Sequence, residues 1–152
     1  MEKLQSPFLG EIHIEEDKVI TFPSGLIGFG DYRRFLLLED EEGSPFWYLQ
    51  SVEDAELFFV LINPVAFFQD YQVEVKPEEL QAIDLDDPNK AVVLALVTVP
   101  EQDVKQATVN LKGPLVINPD RRLGKQVVLH PSSYSTRHPL FNEPGGEARG
   151  AV

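Results

Sequence analysis

Three histidines are the first candidates for metal or acid–base chemistry in this chain: His13, His130 and His138. A helix brings two imidazoles onto one metal ion when they stand four residues apart, and no pair here has that spacing. We therefore interpret them as strand or loop residues. The chain contains no cysteine, which excludes thiolate metal sites, disulfides and a cysteine nucleophile.

Two further patterns resemble sites for phosphate binding or nucleophilic attack. Residues 25–30 read GLIGFG, but this order is not G-x-G-x-x-G and no helix follows it, so it predicts a turn. Ser132, Ser133 and Ser135 show no nucleophile-elbow pattern. We expect no cofactor and no catalytic serine.

Carboxylates are the most abundant groups with chemical potential, and they stand in clusters around one predicted hairpin tip and one predicted helix. Such clusters are either solvated surfaces or docking surfaces for Lys and Arg on another protein. A calcium loop would need a glycine that is absent here. The candidates for partner binding are Glu39, Asp40, Glu41, Glu42, Glu74, Glu78, Glu79, Asp84, Asp86 and Asp87.

The net charge of −12 is distributed unevenly along the 152 residues. Residues 1–103 contain 6 basic and 22 acidic residues, whereas residues 104–152 contain 7 basic and 3 acidic ones. Phosphate contacts need clustered Lys and Arg, so this composition argues against direct nucleic-acid binding. It favours a basic protein partner reached by electrostatic steering.

An enzyme with paired carboxylates is the competing hypothesis, with Asp70 and Glu74 as the pair. In a strand, this spacing places both side chains on one face, but about 13 Å apart along the backbone. Other strands would then have to complete the site.

The elements that must position these residues are mostly strands, because short segments rich in Val, Ile, Phe and Tyr alternate with Pro, Gly and Asn. We predict one short helix at 77–83, where a proline and two glutamates suit a helix start. The predicted fold is all-β, a small antiparallel β-barrel-like domain over 1–142 with a flexible tail at 143–152. The ten predicted strands are 10–14, 19–22, 35–39, 46–51, 58–63, 71–75, 91–99, 108–112, 115–118 and 126–130.

Two predicted strands, at 58–62 and 91–97, are apolar on both faces. We expect the barrel wall to be covered from outside by loops and the helix, the alternative being a face that meets a partner. Trp47 points opposite to Phe46 and Tyr48, so one side of this aromatic strand is either covered or available to a partner. The sequence shows no signal peptide and no long apolar run, so we expect a cytoplasmic protein away from membranes.

Several motifs, taken together in their order, resemble the FliW family of flagellar assembly factors. They are FPSGLIGF at 22–29, FWYLQS at 46–51, FVLINP at 59–64 and TVNLKGPLVIN at 108–118, followed by GKQ at 124–126 and YSTR at 134–137. Val109 and Gly113 depart from the family pattern, where alanine is expected at both positions. The residues that match the family and that we interpret mainly as structural are Gly25, Leu26, Gly28, Phe29, Asn110, Pro114 and Asn118.

The resemblance implies a non-enzymatic regulator with two cytoplasmic protein partners. One is flagellin, bound before export through its terminal helical region. The other is CsrA, a small dimeric RNA-binding protein that represses translation of flagellin mRNA. Flagellin export would free the factor to capture CsrA and relieve repression. A flagellin chaperone without this regulatory role is the remaining alternative.

Overall fold

The fold is a closed barrel of seven strands with an added hairpin and a covered outer wall. The computed structural model describes residues 2–7, 9–129 and 133–141. The strands are β1 (Glu2–Ser6), β2 (Gly10–Ile14), β3 (Val19–Thr21), β4 (Arg34–Glu39), β5 (Phe46–Ser51), β6 (Phe58–Ile62), β7 (Val92–Thr98), β8 (Thr108–Val109), β9 (Leu115–Asn118), β10 (Leu123–Gln126) and β11 (His138–Pro139). Two short helices, α1 (Pro64–Phe67) and α2 (Pro77–Ala82), and four single 3-10 turns complete the described part of the chain.

The barrel closes because β7 pairs with β6 along one edge and with β9, as well as the short β8, along the other. The order β7-β6-β5-β4-β3-β10-β9 returns to β7 through pairs such as Leu94 with Leu115. All these pairings are antiparallel except the one between β10 and β3, which is parallel at Leu123 and Thr21. The all-β barrel prediction is therefore confirmed.

The barrel interior is filled by alternate side chains from each strand, as the period of two requires. Phe22, Phe35, Leu49, Leu61 and Leu115 are fully buried there. Phe22 meets Phe35 edge to face, with ring centroids 5.7 Å apart. This aromatic and aliphatic core stabilises the barrel whose strands the surface loops connect.

The outer wall of the barrel is covered on two sides, as the doubly apolar strands predicted. Ile62, Ala95 and Val116 point outward and are buried by α2 and the segments around it. On another side, the β1–β2 hairpin covers Val19 and Leu36. Most apolar side chains of β6 and β7 are thus packed within the chain, whereas Val92 at the start of β7 is 36% exposed.

The structure contradicts the strand predicted at 71–75. Tyr71, Val73 and Val75 pack inward on the outer wall, but the segment forms no hydrogen-bonded ladder with a neighbouring strand. Apolar and polar residues do alternate here, because the segment is extended and lies on the barrel with one side facing the wall. Alternation alone does not distinguish this arrangement from a strand.

Other boundaries differ because local side-chain bonds end or start elements. Strand β8 ends at Val109, since the Asn110 side chain accepts the backbone N–H groups of Lys112 and Gly113 and turns the chain. Helix α1 was missed, and it begins where Asn63 accepts the N–H of Val65. The strand predicted at 126–130 is wrong, since β10 is Leu123–Gln126.

The predicted helix and most strands have their expected places. Helix α2 begins at Pro77 as predicted. Strands β1 and β11 were not predicted, since both are short and largely polar. The predicted tail at 143–152, together with His130 and Ser132, lies outside the described residues.

Candidate functional site

One end of the barrel concentrates the negative charge. Alternation of strand direction brings four segments to this end: 15–18, 39–45, 83–91 and 119–122. They contain eleven acidic and four basic residues, a net charge of −7. The segments at the opposite end, 22–33, 52–57, 99–107 and 110–114, contain six acidic and three basic residues, a net charge of −3. We call the first the acidic end.

The β4–β5 hairpin tip supplies four consecutive carboxylates to the acidic end, Glu39 to Glu42. Three of them are exposed, whereas Asp40 is half-buried and accepts a hydrogen bond from Ser44 Oγ at 3.0 Å. Burial raises the pKa of Tyr48, and the Asp40 carboxylate, which accepts a hydrogen bond from the phenol, adds to the rise. Among the described residues, no Lys or Arg nitrogen lies within 4.0 Å of these four carboxylates.

A second acidic group follows α2 and lines an open cleft of about 670 Å³. Asp84 and Asp86 face this cleft together with Asp120, and Lys90 and Arg121 stand beside them. Asp87 caps the following 3-10 turn by accepting the N–H of Asn89 at 3.0 Å. The turn at 119–122 lies between this cleft and the surface beside Glu39, so both groups share one end of the barrel.

Asn118 fixes the backbone beneath the second group. Its side-chain Nδ2 donates to the carbonyl oxygens of Ile83 at 2.8 Å and Asp84 at 3.1 Å. Asp84 has a positive φ of 57°, and this clamp holds it in that conformation. The cleft therefore rests on a rigid base.

The remaining predicted carboxylates lie on the side of the barrel. Glu78 and Glu79 occupy the first turn of α2, where the helix dipole favours negative charge. Glu74 is exposed in the extended segment before α2. Asp70 lies in the turn before this segment, so the strand geometry invoked for an Asp70–Glu74 pair does not apply.

Four family-motif residues form a tight loop at the opposite end. Gly25 has a φ of +68°, and a Cβ there would come within 2.6 Å of Gly30 Cα. Gly28 also has a positive φ, at +87°. Leu26 enters the barrel core, whereas Phe29 is 37% exposed and packs edge to face on Phe59, with centroids 5.2 Å apart.

Gln126 joins this loop to a second motif loop, and the sequence-based candidates did not include it. Its Oε1 accepts the N–H of Ile27 at 2.9 Å, and its Nε2 donates to the Gly113 carbonyl at 2.9 Å. Pro114 in the same loop accepts the N–H of Val127 at 2.9 Å. The only sequence signal was its place in the GKQ motif. That motif does not reveal a hydrogen bond to Ile27, which lies 99 positions earlier in the chain.

An aromatic groove runs along the side of the barrel near α1. Phe67, Phe68, Tyr71 and Tyr134 line it, and its volume is about 500 Å³. Burial raises the pKa of Tyr71, and Tyr134 adds to the rise. The Tyr71 hydroxyl donates to the carbonyl of Leu111 at 2.7 Å, which ties the groove to the barrel wall.

The described histidines have ordinary surroundings. His13 Nε2 lies 3.6 Å from a Glu11 carboxylate oxygen, and the His138 ring stands edge-on to Phe68 at 4.8 Å. Within residues 2–7, 9–129 and 133–141, no three His, Asp or Glu side chains are grouped so that they could hold a metal ion. Over the same residues, no helix has the length and apolarity needed to cross a membrane.

Comparison with known proteins gives one consistent answer. The model of the FliW protein family matches residues 3–140. A flagellar assembly factor FliW from Natranaerobius thermophilus is 67% identical over 150 residues, covering 99% of both chains. Another from Syntrophomonas wolfei is 40% identical, covering 99% of this chain and 96% of the relative.

The fold agrees with the sequence comparison. The crystal structure of a flagellar assembly factor FliW superposes with a TM-score of 0.85 at 34% identity, covering 95% of this chain and 99% of that one. By sequence and by fold, the chain belongs to the FliW family of flagellar assembly factors.

Proposed function

We propose that this protein is a non-enzymatic partner switch of the cytoplasm. It binds CsrA, relieves the repression of flagellin mRNA translation, and binds flagellin before export. While flagellin occupies the protein, CsrA represses translation. When flagellin is exported, the freed protein captures CsrA.

The acidic end is the observation that carries the CsrA part of this proposal. An RNA-binding protein must present a basic surface, and a concentrated negative field steers such a surface into contact. The −7 charge at this end comes with four carboxylates at the hairpin tip that have no cation within 4.0 Å among the described residues. A docked acidic body also repels RNA phosphates, which adds to the antagonism.

The aromatic groove supports the flagellin part. Amphipathic helices bind by laying an apolar face into a hydrophobic groove. Phe67 and Phe68 offer such a surface, and Val65 beside them is 50% exposed. The groove is on the side of the barrel, so flagellin would release CsrA by steric overlap of the two bound partners or by coupling through the barrel.

Calorimetric titration tests the proposal directly. The protein is titrated with purified CsrA, and flagellin is then added to the complex. We expect saturable binding of CsrA and its release by flagellin. Saturable binding of flagellin without binding of CsrA would replace the switch by a chaperone role, and absence of binding to either protein would overturn the proposal.

A further inference from the structure

A groove beside the acidic hairpin tip combines an apolar floor with a carboxylate rim. It lies between β2 and the β4–β5 hairpin, with a volume of about 450 Å³. Ile12, Leu38 and the ring of Tyr48 form its floor. Ile12 is buried, whereas Leu38 and Tyr48 are half-buried and present part of their surface to the groove.

The rim is built from two different parts of the chain. Glu11 and Glu15 come from the N-terminal hairpin and the turn after it, and Glu39 and Asp40 come from the end of β4. His13 is the one basic-type side chain among the described residues that line this groove.

Cations of the chain itself neutralise only half of this rim. Glu11 pairs with Lys3 at 3.5 Å, and Glu15 pairs with Lys18 at 3.5 Å. Glu39 and Asp40 have no Lys or Arg nitrogen within 4.0 Å among the described residues. The groove therefore keeps an excess of negative charge above an apolar floor.

We propose that this groove is the seat of a Lys or Arg side chain from the basic partner, an inference that rests on the proposed function. Lys and Arg lay their methylene stems on apolar surface while the charged head stays at a polar rim. Here the stem would lie on Leu38 and Tyr48, and the head would meet Glu39 and Asp40. The contact complements the steering field, because it acts after docking and slows dissociation.

Dissociation kinetics with CsrA separate the groove from the general field. The variant Glu39→Gln/Asp40→Asn removes the two carboxylates that would meet the charged head, and Glu41→Gln/Glu42→Gln removes two carboxylates of the same region that do not line the groove. Both change the net charge by the same amount, so both lower the association rate similarly. We expect the rim variant to dissociate about tenfold faster and the control to stay within about twofold of the wild type.

Methyl NMR locates the contact independently of any substitution. Addition of CsrA is expected to shift the methyl signals of Ile12 and Leu38 and to leave those of Ile27, at the opposite end, in place. Equal dissociation rates for the two double variants overturn the groove assignment while the wild type still binds CsrA. Methyl shifts that depend on the concentration of this protein alone indicate a second copy in the groove and also overturn it. Failure of the wild type to bind CsrA refutes the proposed function itself.

Discussion

Gly124 lies directly against the ring of Phe22 inside the barrel. A Cβ built on Gly124 would come 2.6 Å from Phe22 Cε2, and Phe22 is fully buried. No L side chain fits there without displacing the ring from the core. The glycine therefore permits the Phe22 ring, just after β3, to pack against β10, the strand that pairs with β3 in parallel.

Replacement of this glycine is expected to destabilise the fold strongly. Gly124→Ala should lower the free energy of unfolding by about 1–3 kcal/mol, because the ring and its neighbours must shift. Gly30→Ala is the control, since its Cβ would meet nothing within 4 Å and its backbone is not left-handed. Urea unfolding of both variants checks this. Equal free energies of unfolding for the two variants would show that the core accommodates a methyl group beside Phe22 without cost.

The buried phenol of Tyr71 should make the stability of the fold depend on pH at high pH. Burial raises its folded-state pKa above the ordinary value of 10.0. As pH rises, the unfolded chain therefore loses the phenol proton before the folded protein does. The contribution of this group to the free energy of unfolding is complete below pH 10 and declines as pH rises toward the folded-state pKa. The free energy of unfolding should decline from this group by at most about 1.4 kcal/mol per pH unit.

Tyr71→Phe isolates this contribution. At pH 7 the variant should be less stable by about 1–2 kcal/mol, because the Leu111 carbonyl loses its hydrogen bond. Between pH 10 and pH 11 the gap between wild type and variant should narrow, since only the wild type has this phenol. Urea unfolding at the three pH values measures it, and a gap independent of pH would contradict the prediction.

Gln126 should control the local stability of the glycine-rich loop. In Gln126→Ala, the Ile27 amide loses its acceptor, and its hydrogen exchange should accelerate on the order of tenfold. The Ser51 amide is an internal control outside this loop, because it donates to the backbone carbonyl of Leu57 at 3.0 Å. NMR hydrogen exchange reads both amides in one sample. Acceleration at both sites would indicate global destabilisation instead.

The sequence was sufficient for the helix α2 and for the barrel strands other than β10, because local patterns of apolar residues and turns specify them. It placed the acidic hairpin tip correctly in the loop between β4 and β5. It could not show that Glu15 and Glu39 share a groove, since this depends on how the β2–β3 turn meets β4. The role of Gln126 was hidden for the same reason, as its two partners are brought close only by the pairing of β10 with β3 and β9.

Charge reversal at the two barrel ends provides the test of electrostatic steering. Glu41→Lys/Glu42→Lys changes the acidic end, and Asp31→Lys/Glu56→Lys changes the opposite end by the same net charge. All four positions are exposed, so the fold should tolerate both variants. We expect the association rate with CsrA to fall about tenfold in the first variant and less than threefold in the second, because a steering field acts where its charges are concentrated.

The salt dependence of the same rate supplies the second arm of this test. For the wild type, the association rate should fall by about tenfold between low salt and about 0.5 M NaCl, where the screening length becomes shorter than the charged surface. The reversed acidic-end variant should show a much flatter dependence, since the field that salt screens has already been weakened. Stopped-flow mixing at several salt concentrations measures both. A wild-type rate that does not change with salt would mean that the acidic end does not steer CsrA, and that association is governed by short-range contacts.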